Sequence, residues 1–143
     1  MTAQATTARR PLPRFPEPDT QPFWEATARH ELRYPTCNAC SEIVFYPRRH
    51  CTNCGSADLT WHTSKGLGTV YSYSVVRQNR NPAFKDLGAY AVAYVDLDEG
   101  FRMLTNIVGV ADPTKDIQIG QRVAVSWEDQ TPEISLPMFA PVP

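Results

Sequence analysis

Residues 35–55 read PTCNACSEIVFYPRRHCTNCG, and the cysteines in that stretch, Cys37, Cys40, Cys51 and Cys54, fall in the pattern Cys-x2-Cys-x10-Cys-x2-Cys. Two residues between paired thiols let one tight turn aim both sulfurs at a single ion, and two such turns facing each other make a tetrahedral thiolate site. Gly55 follows Cys54 where a knuckle turn calls for positive φ, and Asn38, Asn53, Pro35 and Pro47 supply further turn chemistry. Two disulfides are a competing arrangement. They suit secreted chains, however, and the opening MTAQATTARRPLPRFPEP lacks the apolar run of a signal peptide. A redox dithiol would use one Cys-x2-Cys pair, not two. The expected ion is structural zinc, with iron the alternative because both metals accept four thiolates. A shell closed by four cysteines leaves no open position for water or substrate, so it would fold the chain and not catalyse.

The 143 residues bound the chain to one compact domain, or to a small domain with a metal-stapled appendage. With 14 basic and 15 acidic residues the formal charge is −1, which gives no global drive toward nucleic acid or anionic membranes. No stretch approaches the ~18 consecutive apolar residues of a membrane span, and the expected compartment is the cytoplasm. Residues 1–19 carry Pro11, Pro13, Pro16 and Pro18 with few large apolar residues, the composition of a flexible arm. From Asp19 the text changes. Thr20 or Asp19 can cap a helix, Pro22 suits its first turn, and no breaker follows before Leu32, so a helix is expected over 20–31. Phe23 and Trp24 on that helix are either covered by the domain's own core or offered to a partner.

The metal-binding ribbon is expected over 32–65, with Ile43, Val44, Phe45 and Tyr46 as a short apolar strand. Beyond Gly66 and Gly68 the pattern turns to β over 66–130. Ala89, Ala91, Ala93, Val95 and Leu97 share one face, Asp98-Glu99-Gly100 makes a hairpin turn, and Val123, Val125 and Trp127 alternate inward against Arg122, Ala124, Ser126 and Glu128. Ile134 to Phe139 contains Pro137, so the C-terminal tail 131–143 is expected to supply an edge strand or none. The fold class is mainly β: an N-terminal helix, a rubredoxin-like zinc ribbon, then a small Greek-key barrel of OB type.

Taken together, Phe23-Trp24, the two cysteine pairs, Gly66-x-Gly68-Thr69-Val70-Tyr71-Ser72-Tyr73 and Leu104-Thr105-Asn106-Ile107-Val108-Gly109 resemble the acyl-CoA-associated zinc-ribbon/OB-fold family, domain of unknown function thirty-five. The resemblance covers about Pro22 to Glu128. It implies an accessory subunit of a thiolase-fold enzyme, a thiolase, acyltransferase or aldolase/lyase acting on acyl-CoA thioesters, including those of steroid side-chain breakdown. The family carries no firm catalytic signature to transfer.

The residues agree that catalysis belongs elsewhere. A thiolase-type mechanism needs a free cysteine nucleophile, and no cysteine lies outside the two pairs. His30, His50 and His62 read as structural or solvated, and Asp96, Asp98 and Glu99 as a solvated acidic turn. Arg48 and Arg49 on the loop between the cysteine pairs, and Arg77, Arg80 and Lys85 between two barrel strands, are candidate contacts for CoA phosphates or a partner, as are Phe23 and Trp24. The runner-up is a single-stranded nucleic-acid module, in which Tyr71, Tyr73, Tyr90 and Tyr94 would stack bases; it lacks the expected basic stripe.

Overall fold

The computed structural model describes residues 10–15 and 17–143. The elements are α1 (Gln21–Thr27), β1 (Arg33–Cys37), β2 (Leu59–Thr63), β3 (Leu67–Val76), a 3-10 turn (Lys85–Leu87), β4 (Tyr90–Leu97), β5 (Arg102–Ile107), β6 (Arg122–Asp129) and β7 (Ser135–Pro141). Strands β1 and β2 form an antiparallel pair that carries the cysteine knuckles. The other five close into a barrel in the order β3-β4-β5-β7-β6. This is the mainly β architecture expected, a short helix and a ribbon ahead of an OB-like barrel.

Alternation builds the barrel. Ala91, Ala93, Val95 and Leu97 of β4, with Met103 and Ile107 of β5 and Val123 of β6, are all buried and meet Phe139 of β7 in one core. The β4–β5 hairpin closes through Gly100, at φ 110, whose N–H donates to the Leu97 carbonyl at 2.9 Å. Asp96 and Asp98 stay solvated, as expected, but all three acidic residues also have partners. Asp96 pairs with Arg102 and Asp98 with Arg122, while Glu99 accepts from the Ser64 hydroxyl and the Lys65 N–H, tying the ribbon exit to the barrel.

Three sequence expectations need correction. First, the helix stops at Thr27, not at 31, because the chain turns into a Schellman closure: the Glu31 N–H reaches the Ala26 carbonyl at 3.1 Å and the His30 N–H the Thr27 carbonyl at 2.9 Å. His30 occupies the left-handed position, φ 57, where glycine is usual. Tertiary contacts hold it there, since its ring stacks on Trp127 at 5.5 Å and its Nε2 lies 2.6 Å from Asp129 Oδ1.

Second, the segment expected to be a tail is a barrel strand inserted between β5 and β6, so the barrel runs past residue 130. Pro137 is tolerated because the carbonyls of Phe139 and Pro137 turn toward β5, accepting from the Val108 N–H and the Thr105 hydroxyl. The missing N–H therefore faces β5, where register pairing is limited to Ile107 with Phe139, and not the long β6 ladder. Third, Ile43 to Tyr46 makes no strand. Only an isolated bridge joins Ile43 to Thr36, and Val44 and Phe45 are used as packing side chains.

The arm falls outside the described residues at 1–9 and 16. Arg10, at its near end, pairs with Glu128 at 3.2 Å and sits over the Phe84 ring at 5.2 Å. Gly68 allows a close strand approach, for a Cβ there would lie 2.6 Å from the Asp96 carbonyl oxygen. We therefore expect Gly68→Ala to cost about 2–4 kcal/mol, because backbone and not a pliable side chain blocks the methyl. Urea unfolding should show a lowered midpoint at unchanged slope.

Candidate metal centre and apolar groove

The two cysteine knuckles are built alike. In the first, the Cys37 N–H donates to the Glu42 carbonyl and the Ser41 N–H to the Cys37 carbonyl; in the second, Cys51 and Gly55 repeat both bonds with Ser56 and Cys51. The fifth residue of each takes positive φ, Gly55 at 80 and Ser41 at 67. Glycine marked the second knuckle in the sequence. Serine gave no such signal in the first.

The four sulfurs lie within 4.8 Å of one another. Cys37 and Cys54 Sγ are 3.6 Å apart, as are Cys40 and Cys51 Sγ. A tetrahedron with metal–sulfur bonds of about 2.3 Å has edges of about 3.8 Å, so the donor set fits one zinc-sized ion. The protonation chemistry agrees. Hydrogen bonds from the Asn53 side chain and the Glu42 backbone bring Cys40 down to about 6. At Cys54 the Ser56 amide works downward, but burial and the three neighbouring sulfurs outweigh it and push the thiol up to about 12. Four crowded thiols cannot all ionise unless a cation joins them. Asn53 supports the sulfurs from outside, its N–H donating to Cys51 Sγ at 3.4 Å and its side-chain amide to Cys40 Sγ at 3.5 Å.

The candidate contact residues separate into two groups. Phe23 and Trp24 come together with Phe45 and Tyr46 of the ribbon, Leu104 of β5 and Leu136 of β7 around an apolar groove of about 310 Å³. Of the two readings open for the helix aromatics, Phe23 is covered by the chain's own core, as are Met138 and Phe139 of β7, whereas Trp24 is half-buried and Tyr46 exposed. The cations are all exposed and none is in an ion pair among the described residues. Arg48 and Arg49 follow Pro47 at one rim of the groove. Arg77, Arg80 and Lys85 lie on the β3–β4 loop, whose Phe84 is clamped between Tyr90 and Arg10. Sequence reading missed Arg10, Leu104 and Thr105 as groove residues, since only β5 and the pairing of Arg10 with Glu128 across the fold bring them there. No helix among the described residues is long and apolar enough to cross a membrane.

Comparison with known proteins follows the same division. The ChsH2 rubredoxin-like zinc ribbon domain matches residues 24–60, and the ChsH2 C-terminal OB-fold domain matches residues 61–128. A protein of Thermomonospora curvata named probable enoyl-CoA hydratase alpha subunit is 40% identical over 141 residues, covering 98% of this chain and 42% of that protein. The chain thus spans about two fifths of that relative's length. A DUF35 domain-containing scaffold protein of Methanothermobacter thermautotrophicus is 35% identical over 96 residues, covering 66% of this chain and 70% of that protein. A solved structure described as an Ltp2-ChsH2(DUF35) aldolase superposes with a TM-score of 0.78 at 39% identity, covering 92% of this chain and 98% of that one.

Removing one ligand leaves an open position and three crowded sulfurs, so Cys40→Ala is expected to bind no zinc and to aggregate or melt early. Elemental analysis should find about one zinc in the parent chain and none in the variant. Gly55→Ala, whose Cβ meets nothing within 4 Å, should retain the metal and lose only about 1 kcal/mol from its left-handed backbone.

Proposed function

Because the chain belongs to the DUF35 family, in the ChsH2 arrangement of a rubredoxin-like zinc ribbon ahead of an OB-fold domain, we propose that it is a non-catalytic subunit of an acyl-CoA-processing complex. Its partner is a thiolase-fold enzyme, an aldolase/lyase or acyltransferase. The observation that carries this is the cysteine inventory: all four thiols of the chain converge on one cluster, which leaves no sulfur nucleophile for thioester chemistry.

Cys37, Cys40, Cys51 and Cys54 hold zinc in this reading. Bound zinc would supply the charge that lets four thiolates share one site, and its closed shell would hold the two knuckles of the ribbon together. The chain's own residues do the rest. Asn53 orients two of the sulfurs, Phe45 and Tyr46 extend from the ribbon to form a wall of the groove, and Trp24 forms another. Relatives carrying hydratase and aldolase names support a role beside acyl-CoA chemistry, and those named scaffold proteins support an accessory one. CoA phosphates, if they reach this subunit, would meet exposed cations at Arg48 and Arg49 or at Arg77, Arg80 and Lys85.

Two outcomes test the proposal. The purified chain should neither form nor cleave acyl-CoA thioesters, whereas co-expression with the thiolase-fold subunit of the same organism should yield a complex with turnover; activity of the chain alone would overturn the reading. Trp24→Ala should leave zinc content and circular dichroism unchanged while weakening association by about 2 kcal/mol. Unfolding of that variant would place Trp24 in the core instead.

A further inference from the structure

The groove does not end at its walls. Tyr71, Tyr94, Leu104 and Tyr46 are each 44–51% exposed, and they adjoin one another over the outer face of the barrel. Tyr94 on β4 stands opposite Leu104 on β5, and the Leu104 N–H donates to the Tyr46 hydroxyl at 2.7 Å. Tyr71 on β3 lies 3.4 Å beneath the guanidinium of Arg102, which Asp96 holds at 2.6 Å. Leu104 and Tyr46 also line the groove, so face and groove are one surface. Tyrosine, tryptophan and arginine around an apolar cleft make up the usual composition of a binding hot spot, and a monomer rarely keeps such a patch without use.

We infer that this continuous surface is the docking face for the partner enzyme, and that its occupant is an extended apolar segment with acidic residues at the end that meets Pro47. The inference rests on the accessory-subunit reading and names its contact surface. Charge sets the direction of the segment. Arg10 in the groove and Arg102 over Tyr71 are already paired with Glu128 and Asp96, whereas Arg48 and Arg49, directly after Pro47, have no acidic partner among the described residues. An acidic flank on the incoming chain would complement them, and screened surface charge of this kind acts mainly on encounter rate.

An OB barrel takes oligonucleotides on the face of its second and third strands, which here are β4 and β5. Two features favour protein. Asp96 shares the outer face with Tyr94, and a formal charge of −1 supplies no backbone-tracking stripe for phosphates.

The test uses the full chain, co-expressed with the thiolase-fold subunit of the same organism. Leu104→Arg and Tyr94→Arg alter outward side chains only, and each should weaken association about tenfold or more at an unchanged melting curve. Arg48→Glu with Arg49→Glu should slow association about tenfold and flatten its salt dependence, while Lys115→Glu, on the 112–116 turn, should change neither. Undiminished binding by both Leu104→Arg and Tyr94→Arg overturns the inference. So does tight binding of a single-stranded oligothymidylate of about 15 nucleotides that Tyr94→Arg abolishes, which would assign the face to nucleic acid. Failure of the unaltered chain to bind the subunit at all sinks the accessory reading itself, a result distinct from either.

Discussion

Helix, ribbon and barrel are joined where Phe45 packs. Its ring meets Phe101 of the barrel at 4.6 Å and Phe23 of the helix at 6.1 Å, while Phe101 in turn meets Tyr34 of β1 at 4.9 Å. Rings from helix, ribbon and barrel thus share one apolar seam. Aromatic pairs of this kind contribute about 0.5–1.5 kcal/mol each beyond the area they bury. A ribbon of this size cannot build a core of its own: its buried cluster is Cys37, Val44 and Cys51. It therefore depends on two anchors, the cysteine cluster within it and the aromatic seam beneath it. The Glu99 clamp on Ser64 and Lys65 adds a polar fastening at the exit.

That arrangement also gives the ribbon a part in the apolar groove. The ribbon is held as a rigid wall, and one side of the apolar groove is made of its residues Phe45 to Pro47. The opposite side comes from α1 and β7, which are linked through the Thr27 hydroxyl, an acceptor for the Ser135 N–H at 3.1 Å and a donor to the Trp24 carbonyl at 2.6 Å. Residues next to the cysteine cluster thereby form one wall of the groove, and α1 and β7 form the other.

Much of this was legible in the chain. The cysteine spacing identified the ribbon, and the alternation from Ala91 to Leu97 with the Asp-Glu-Gly turn identified the barrel's central hairpin, because local patterning and turn chemistry act within a few residues. What escaped was set by distant contacts. Nothing around His30 ends a helix locally; Trp127 and Asp129 hold the left-handed turn from across the fold. Pro137 argued against a barrel strand until its missing N–H was seen to fall on the weakly paired side. Ser41 gave no sign that it performs a glycine's task. The candidate surface was half legible: Phe23 and Trp24 stood out as aromatics, but only folding joins them to Leu104 and Leu136 and withdraws Phe139 into the core.

The place of β7 has a consequence for the order of events during synthesis. It follows every other described strand in sequence, yet it lies between β5 and β6, and the barrel cannot close before Phe139 arrives. A nascent chain made from its amino end can form the β1–β2 pair and the β3–β4–β5 meander early. Until β7 is released from the ribosome, β5 and β6 present open edges and the apolar side chains of the core stay wet. Open strand edges and a wet core are the features that make a partly folded chain prone to aggregate, and here they persist until β7 takes its place.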